Sequence, residues 1–270
     1  MPASVRRLPA LALVLLAGTP EAMAWGPVGH RVAAKVAEAR LTPAAKAAVK
    51  DLLDDGEDLG EASNWPDKVG RKQIPESAPW HYVNVPLTEP RYDAKFCNAE
   101  GCVVSKIKDF RRVLADRSAP KEDRRLALRF LAHFVEDIHM PLHVGHRDDK
   151  GGNLCQVRFL DRKQGTNLHR VWDSGVIEAT GDEASWIALV APLADSEAAV
   201  SWTWGDVEDW ADESLKLAHQ AYYFPEGTDQ PIKSGTVLGE DYAKFAAPII
   251  RIRLAQAGVR LADELNTLLK

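Results

Sequence analysis

The chain has 270 residues, with 34 Lys and Arg against 39 Asp and Glu, for a formal charge of −5 at pH 7. That length suffices for one large domain with a substantial core, while the acidic balance excludes holding nucleic acid through a broad basic face. Any phosphate binding here needs a concentrated positive element added to the polypeptide, and bound divalent metal would supply it.

Residues 1–24 read as a cleavable leader: Arg6 and Arg7 form a basic start, Leu8 to Gly18 an apolar run, and Ala22-Met23-Ala24 a small-x-small cleavage signal. The run is too short to span a membrane, and no other stretch is long enough, so no membrane span is expected. Cleavage after Ala24 makes Trp25 the new N-terminus and sends residues 25–270, read as a single domain, to the periplasm or outside the cell. Without Arg6, Arg7 and Glu21 the counts fall from 34 and 39 to 32 basic and 38 acidic residues, a charge of −6.

Helical periodicity then dominates. Val32, Val36 and Ala39 form a stripe, and Thr42-Pro43 reads as an N-cap and first helical residue before Ala45, Val49, Leu52 and Leu53. A helix over about 124–140 buries Ala127, Leu131, Phe134 and Ile138, and Pro141 ends it. Val157 and Phe159 alternate with polar residues ahead of the turn-like segment 161–166, which predicts a small hairpin. Ile250, Leu254, Leu261, Leu265 and Leu268 mark a long C-terminal helix with Pro248 as a kink. The expected fold is all-α, with that one small β-hairpin.

Of three cysteines, Cys97 and Cys102 are close enough to close a small loop in an oxidising compartment, and Cys155 reads as a buried small hydrophobe. No cysteine pair has zinc-finger spacing, so a metal site must use His, Asp and Glu.

Histidine placement is the informative feature. His133 and Asp137 lie four apart on one helix, able to face one metal, and His169 and Asp173 repeat the spacing. His143 follows Pro141-Leu142, where the broken helix can turn back. Imidazole and carboxylate are the ligands zinc accepts without thiolates. His139 falls on another helix face and reads as a residue that either supports the ligands from behind or packs. Asp148 and Asp149 precede the turn Gly151-Gly152-Asn153, whose backbone and Asn153 side chain could face substrate.

Five motifs occur in order: Trp25-Gly26-Pro27-Val28-Gly29-His30, Asn64-Trp65-Pro66-Asp67, Pro79-Trp80-His81-Tyr82-Val83-Asn84, the stretch from His133 through His143, and Asn167-Leu168-His169-Arg170-Val171-Trp172-Asp173. Together they resemble the zinc-dependent single-strand-specific nucleases, the family of mung bean nuclease, the plant type I nucleases and their fungal counterparts. The resemblance implies three Zn2+ ions at the bottom of a cleft. One would take Asp67, His81, His133 and Asp137; a second, close to it, the α-amino nitrogen and carbonyl oxygen of Trp25 with His30, sharing Asp137; the third His143, His169 and Asp173.

It also implies an endonuclease and 3′-nucleotidase that cuts single-stranded DNA and RNA to 5′-phosphorylated products by attack of a zinc-held hydroxide on phosphorus. Asp67 and Asp137 then belong to the catalytic centre, Tyr82 stacks on an unstacked base and Asn84 bonds its edge. Where the family commonly carries Arg three residues after Asp67 this chain has Gly70, leaving the following Arg71 as the phosphate contact. Met140 stands where Gln is frequent, and of the family's disulfides only Cys97–Cys102 has partners. The alternative is a zinc-dependent phospholipase C, which shares the trinuclear arrangement; Asp173, Tyr82 and Asn84 favour the nuclease. A non-catalytic periplasmic metal-binding or adhesion protein is the third reading, and the intact ligand set argues against it.

Overall fold

The computed structural model describes residues 25–270. The leader expected over 1–24 lies outside the described residues. In chain order the helices are α1 (Pro27–Ala39), α2 (Pro43–Leu52), α3 (Leu59–Trp65), α4 (Arg71–Gln73), α5 (Val103–Ala115), α6 (Lys121–Asp137), α7 (Leu168–Arg170), α8 (Val176–Thr180), α9 (Glu183–Ala194), α10 (Ala198–Trp202), α11 (Val207–Tyr222) and α12 (Glu240–Leu268). The fold is all-α. Strands are two to four residues long: β1 (Val85–Pro86), β2 (Gly145–His146), β3 (Gln156–Phe159), β4 (Thr166–Asn167) and β5 (Val237–Leu238).

Local chemistry explains most of the boundaries. Pro27 and Pro43 open α1 and α2, where a missing N–H costs nothing, and the Thr42 hydroxyl accepts from Ala45 N. Asp58 and Glu61 form a reciprocal capping box on α3. Helix α6 begins at Lys121, directly after Pro120, and ends at Asp137, about three residues ahead of the expected span at each end, and a 3-10 turn over Pro141–His143 follows. Helix α12 continues through Pro248. The expected hairpin is β3 against β4, and β5 adds a parallel third strand on the other edge of β3. Neither β5 nor the parallel β1–β2 pair was foreseen.

Two apolar clusters make the core. One gathers α2, α3, α5 and α6 with the end of α12; the other gathers α1, α9, α11, β3 and the first half of α12. Ala127, Leu131, Phe134 and Ile138 are all buried as expected, whereas Ala39 is exposed and the stripe on α1 is instead Val32, Ala33, Val36 and Ala37. Helix α1 packs on α3, α9 and α12, and His30 on it reaches Asp137 at the end of α6. The donor histidines and aspartates therefore lie where the two halves of the core meet, on segments fixed from both sides.

Candidate metal centre

Tryptophans hold the segments that carry the donors. Trp65 and Trp80, just ahead of Asp67 and His81, both pack edge-on against Phe130, which stacks on Phe110 with ring centroids 4.9 Å apart. Trp172, beside Asp173, donates Nε1–H to the Tyr242 hydroxyl at 2.7 Å, and Trp25 donates Nε1–H to the Glu136 carbonyl at 2.9 Å. Asp67 and Asp173 each sit in a single wide π-helical turn, Pro66–Gly70 and Val171–Gly175, that runs on directly into α4 and α8. Such insertions concentrate at functional sites.

Three groups of donors result: Asp67, His81 and His133; His30, His133 and Asp137; and His143, His169 and Asp173, with one ligand atom per residue lying within 4.8 Å of the others in its group. In the first, His81 Nδ1 is 2.8 Å from His133 Nε2, and both are 3.1 Å from Asp137 Oδ2. Asp67 Oδ1 is 3.8 Å from each of those nitrogens. The other carboxylate oxygen of Asp137, Oδ1, faces His30 Nε2 at 3.6 Å, so its two oxygens point into neighbouring groups.

The tautomers are set from behind. His133 Nδ1 lies 2.6 Å from the Ser63 carbonyl, His143 Nδ1 2.7 Å from the His81 carbonyl and His169 Nδ1 2.7 Å from the Gly151 carbonyl. His30 Nδ1 lies 2.5 Å from Glu136 Oε2. Each Nδ1–H donates outward, leaving Nε2 with its lone pair toward the group. His30 Nε2, Asp137 Oδ1, His143 Nε2 and Asp173 Oδ1 are buried without a hydrogen-bond partner among the described residues. Buried polar atoms are rarely left so, and here they aim at common points. The donor set fits a divalent cation of zinc's preferences, nitrogen and carboxylate oxygen in groups of three or four.

Electrostatics say the same. Burial pushes His30, His81 and His143 well below the usual imidazole value and so keeps them neutral. Burial would lower His133 too, but Asp137 and Asp67 outweigh it and raise that ring. Burial raises Asp137 to about 7, and lifts Asp173 well above the carboxylate range, with Asp67 and Asp137 adding repulsion. Crowded carboxylates that resist ionising on their own are stabilised as anions by a dication.

His143 and His169 open onto a cleft of about 980 Å³ whose lining includes Arg71, Tyr82, Asn84, Lys150, Asn153 and Arg170. Arg71 Nη2 reaches Asp67 Oδ1 at 2.9 Å, at the rim of the first group. Tyr82 and Asn84 are exposed on the wall, next to buried His81. Asn153 donates to the Lys150 carbonyl. His139 is buried away from the donors, against Arg260 Nη1, as a packing residue. Cys97 and Cys102 form the disulfide, and Cys155 is free and buried. Sequence reasoning missed Glu136 and the three carbonyls behind the imidazoles; the carbonyls leave no trace in side-chain identity, whereas an acidic residue inside the apolar run Phe134-Val135-Glu136 was a usable signal.

Residues 25–270 match the sequence profile of the S1/P1 Nuclease family. The chain belongs to that family. Relatives include Endonuclease 4 of Arabidopsis thaliana, 35% identical over 98% of this chain and 96% of the relative, and Endonuclease 2 of the same plant, 33% identical over 93% of each. Nuclease S1 of Aspergillus oryzae is 28% identical over 90% of this chain and 91% of the relative. As an S1/P1 nuclease the chain is a hydrolase of phosphodiester bonds, and the donor groups are the metal-binding candidates of a metal-dependent family. The match favours the nuclease over the phospholipase alternative.

Proposed function

We propose that this nuclease is a secreted zinc enzyme, residues 25–270 forming one catalytic domain that acts as endonuclease and 3′-nucleotidase on single-stranded DNA and RNA. The observation that carries the reading is the convergence of buried imidazole and carboxylate atoms, outward tautomers fixed, beneath a cleft walled by Tyr82, Asn84 and Arg71. Asp67, His81, His133 and Asp137 would hold one zinc; Trp25, His30 and the second oxygen of Asp137 another; His143, His169 and Asp173 a third. Bound zinc supplies Lewis acidity toward phosphoryl oxygen and water.

The chain's own side chains do the rest. Tyr82 offers an exposed ring on which a single-stranded base can stack, and Asn84 an amide for the base edge. A paired base inside a duplex cannot reach that wall, which gives the single-strand preference. Arg71, held against Asp67, presents its guanidinium to a non-bridging phosphate oxygen.

The test is direct. The chain beginning at Trp25 is purified, its zinc counted, and its hydrolysis of denatured DNA, RNA, 3′-nucleotides and phosphatidylcholine compared. Three zinc ions with turnover of the nucleic acids and nucleotides are expected. A metal-free chain of full activity, or lipid cleavage with inert nucleic acid, overturns the proposal.

A further inference from the structure

Glu136 belongs to none of the donor groups, yet its side chain is fully buried one residue before Asp137 on α6. An ionised carboxylate in such a place is costly unless matched by positive charge or hydrogen bonds. Its Oε2 lies 2.5 Å from His30 Nδ1, and the Ser63 side chain also hydrogen-bonds the carboxyl. Its main-chain carbonyl accepts from Trp25 Nε1 at 2.9 Å. One residue thus grips both Trp25 and His30, the first by its backbone and the second by its carboxylate.

Three of the other imidazoles supply the contrast. His133, His143 and His169 direct Nδ1 at the neutral carbonyls of Ser63, His81 and Gly151, whereas His30 faces an acid. Charge explains where that acid is placed. On the reading above, the first zinc has Asp67 and a share of Asp137, and the third has Asp173. The amino-terminal zinc has only neutral Trp25 and His30 donors and the other share of Asp137. It is the dication with the least negative charge in its donor set, and Glu136 stands immediately behind its imidazole.

We propose that Glu136 is a positioning residue for the amino-terminal zinc, fixing the His30 ring with Nε2 toward the cation and lending it negative charge through the imidazole. This rests on the zinc reading of the site. Carboxylates behind a ligating histidine raise its basicity and restrict its rotation, and their removal weakens metal binding by about 10- to 100-fold.

The experiment compares the holoenzyme starting at Trp25 with Glu136→Gln, which keeps the shape and an acceptor oxygen but loses the charge. Zinc release into a colorimetric chelator is followed, and zinc is counted after dialysis. The variant is expected to release one zinc at least ~10-fold faster than the parent and the other two at the parental rates, with activity lost on dialysis restored by added zinc. Release of all three at parental rates, or equal acceleration of all three, overturns the proposal. A parent chain that holds no zinc defeats instead the reading on which it rests. A measurement on the unaltered holoenzyme covers the case of a variant that does not fold. In proton–nitrogen NMR, the His30 Nδ1–H is expected further downfield than those of His133, His143 and His169, as a short bond to a carboxylate requires. A His30 signal no further downfield than the other three also overturns it.

Discussion

Asp137 faces two donor groups at once, and its protonation has a signed consequence for the zinc-free chain. Burial raises its folded-state pKa from 3.8 to about 7, so the folded chain binds this proton more tightly than the unfolded one. The group therefore favours folding fully below its unfolded value, and that contribution is lost as pH rises through about 7. Asp137→Asn, which cannot ionise, is expected to raise the melting temperature of zinc-free protein relative to the parent at pH 8, with a smaller difference at pH 5. With zinc present the order reverses, because the variant gives up the bridging anion. Thermal melts with and without chelator check both; a zinc-free variant less stable than its parent at pH 8 contradicts the assignment.

Gly151 lies directly behind His169. Its φ is +61°, and a Cβ there would lie 2.2 Å from the Leu142 carbonyl oxygen, while its own carbonyl accepts from His169 Nδ1. Gly151→Ala must displace either the turn or the 3-10 segment that carries His143. A stability loss of ~1–3 kcal/mol is expected, together with selective loss of the zinc proposed at His143, His169 and Asp173. Denaturant melts and metal counting read the two effects separately, and a variant with unchanged zinc would show that the turn does not set the position of His169.

At the scale of elements, what the sequence disclosed follows from the range of the forces involved. The His133–Asp137 pair was legible because both lie on one α-helix, whose period is a local property. His169 and Asp173 were paired by the same spacing, although a π turn lies between α7 and α8; a slightly wider turn still leaves residues four apart close to one face. Strands of two residues carry no alternation to read, so β1, β2 and β5 were invisible, and the carbonyls behind the imidazoles come from segments up to 70 residues away. The aromatic cluster on α6 shows how such distant segments are brought together. Phe130 contacts Trp65, Trp80, Phe110 and Phe134, and so ties the chain near Asp67 and His81 to the helix of His133. Phe130→Ala is expected to cost ~3–5 kcal/mol in denaturant unfolding. It should also loosen the zinc proposed at Asp67, His81 and His133 more than the one proposed at His143. A cost below ~1 kcal/mol would mean that the cluster is packing without tension on the site.

For the whole molecule, the acidic balance and the cleft have to be reconciled with a polyanionic substrate. The described cations lining the cleft are few: Arg71, Lys150, Arg162 and Arg170. Arg71 is paired with Asp67, and Arg162 and Arg170 both with Glu178. Substrate capture therefore cannot draw on a long track of lysines and arginines, and attraction must be focused where the dications of the proposed site sit. Counterion release scales with the number of phosphates neutralised by the protein. With ~2 phosphates engaged, the logarithm of affinity should fall against the logarithm of salt with a slope of about −1.4, or roughly sevenfold between ~50 and ~200 mM. A protein using a broad basic face loses ~1,000-fold or more over the same range. The measurement is the dissociation constant of an uncleavable single-stranded oligonucleotide across that salt series, with zinc held constant. A shallow slope that persists when the oligonucleotide is lengthened places the recognition at one spot in the cleft; a slope that steepens with every added nucleotide would mean that the strand runs along surface cations instead, and the focused-charge account would fail.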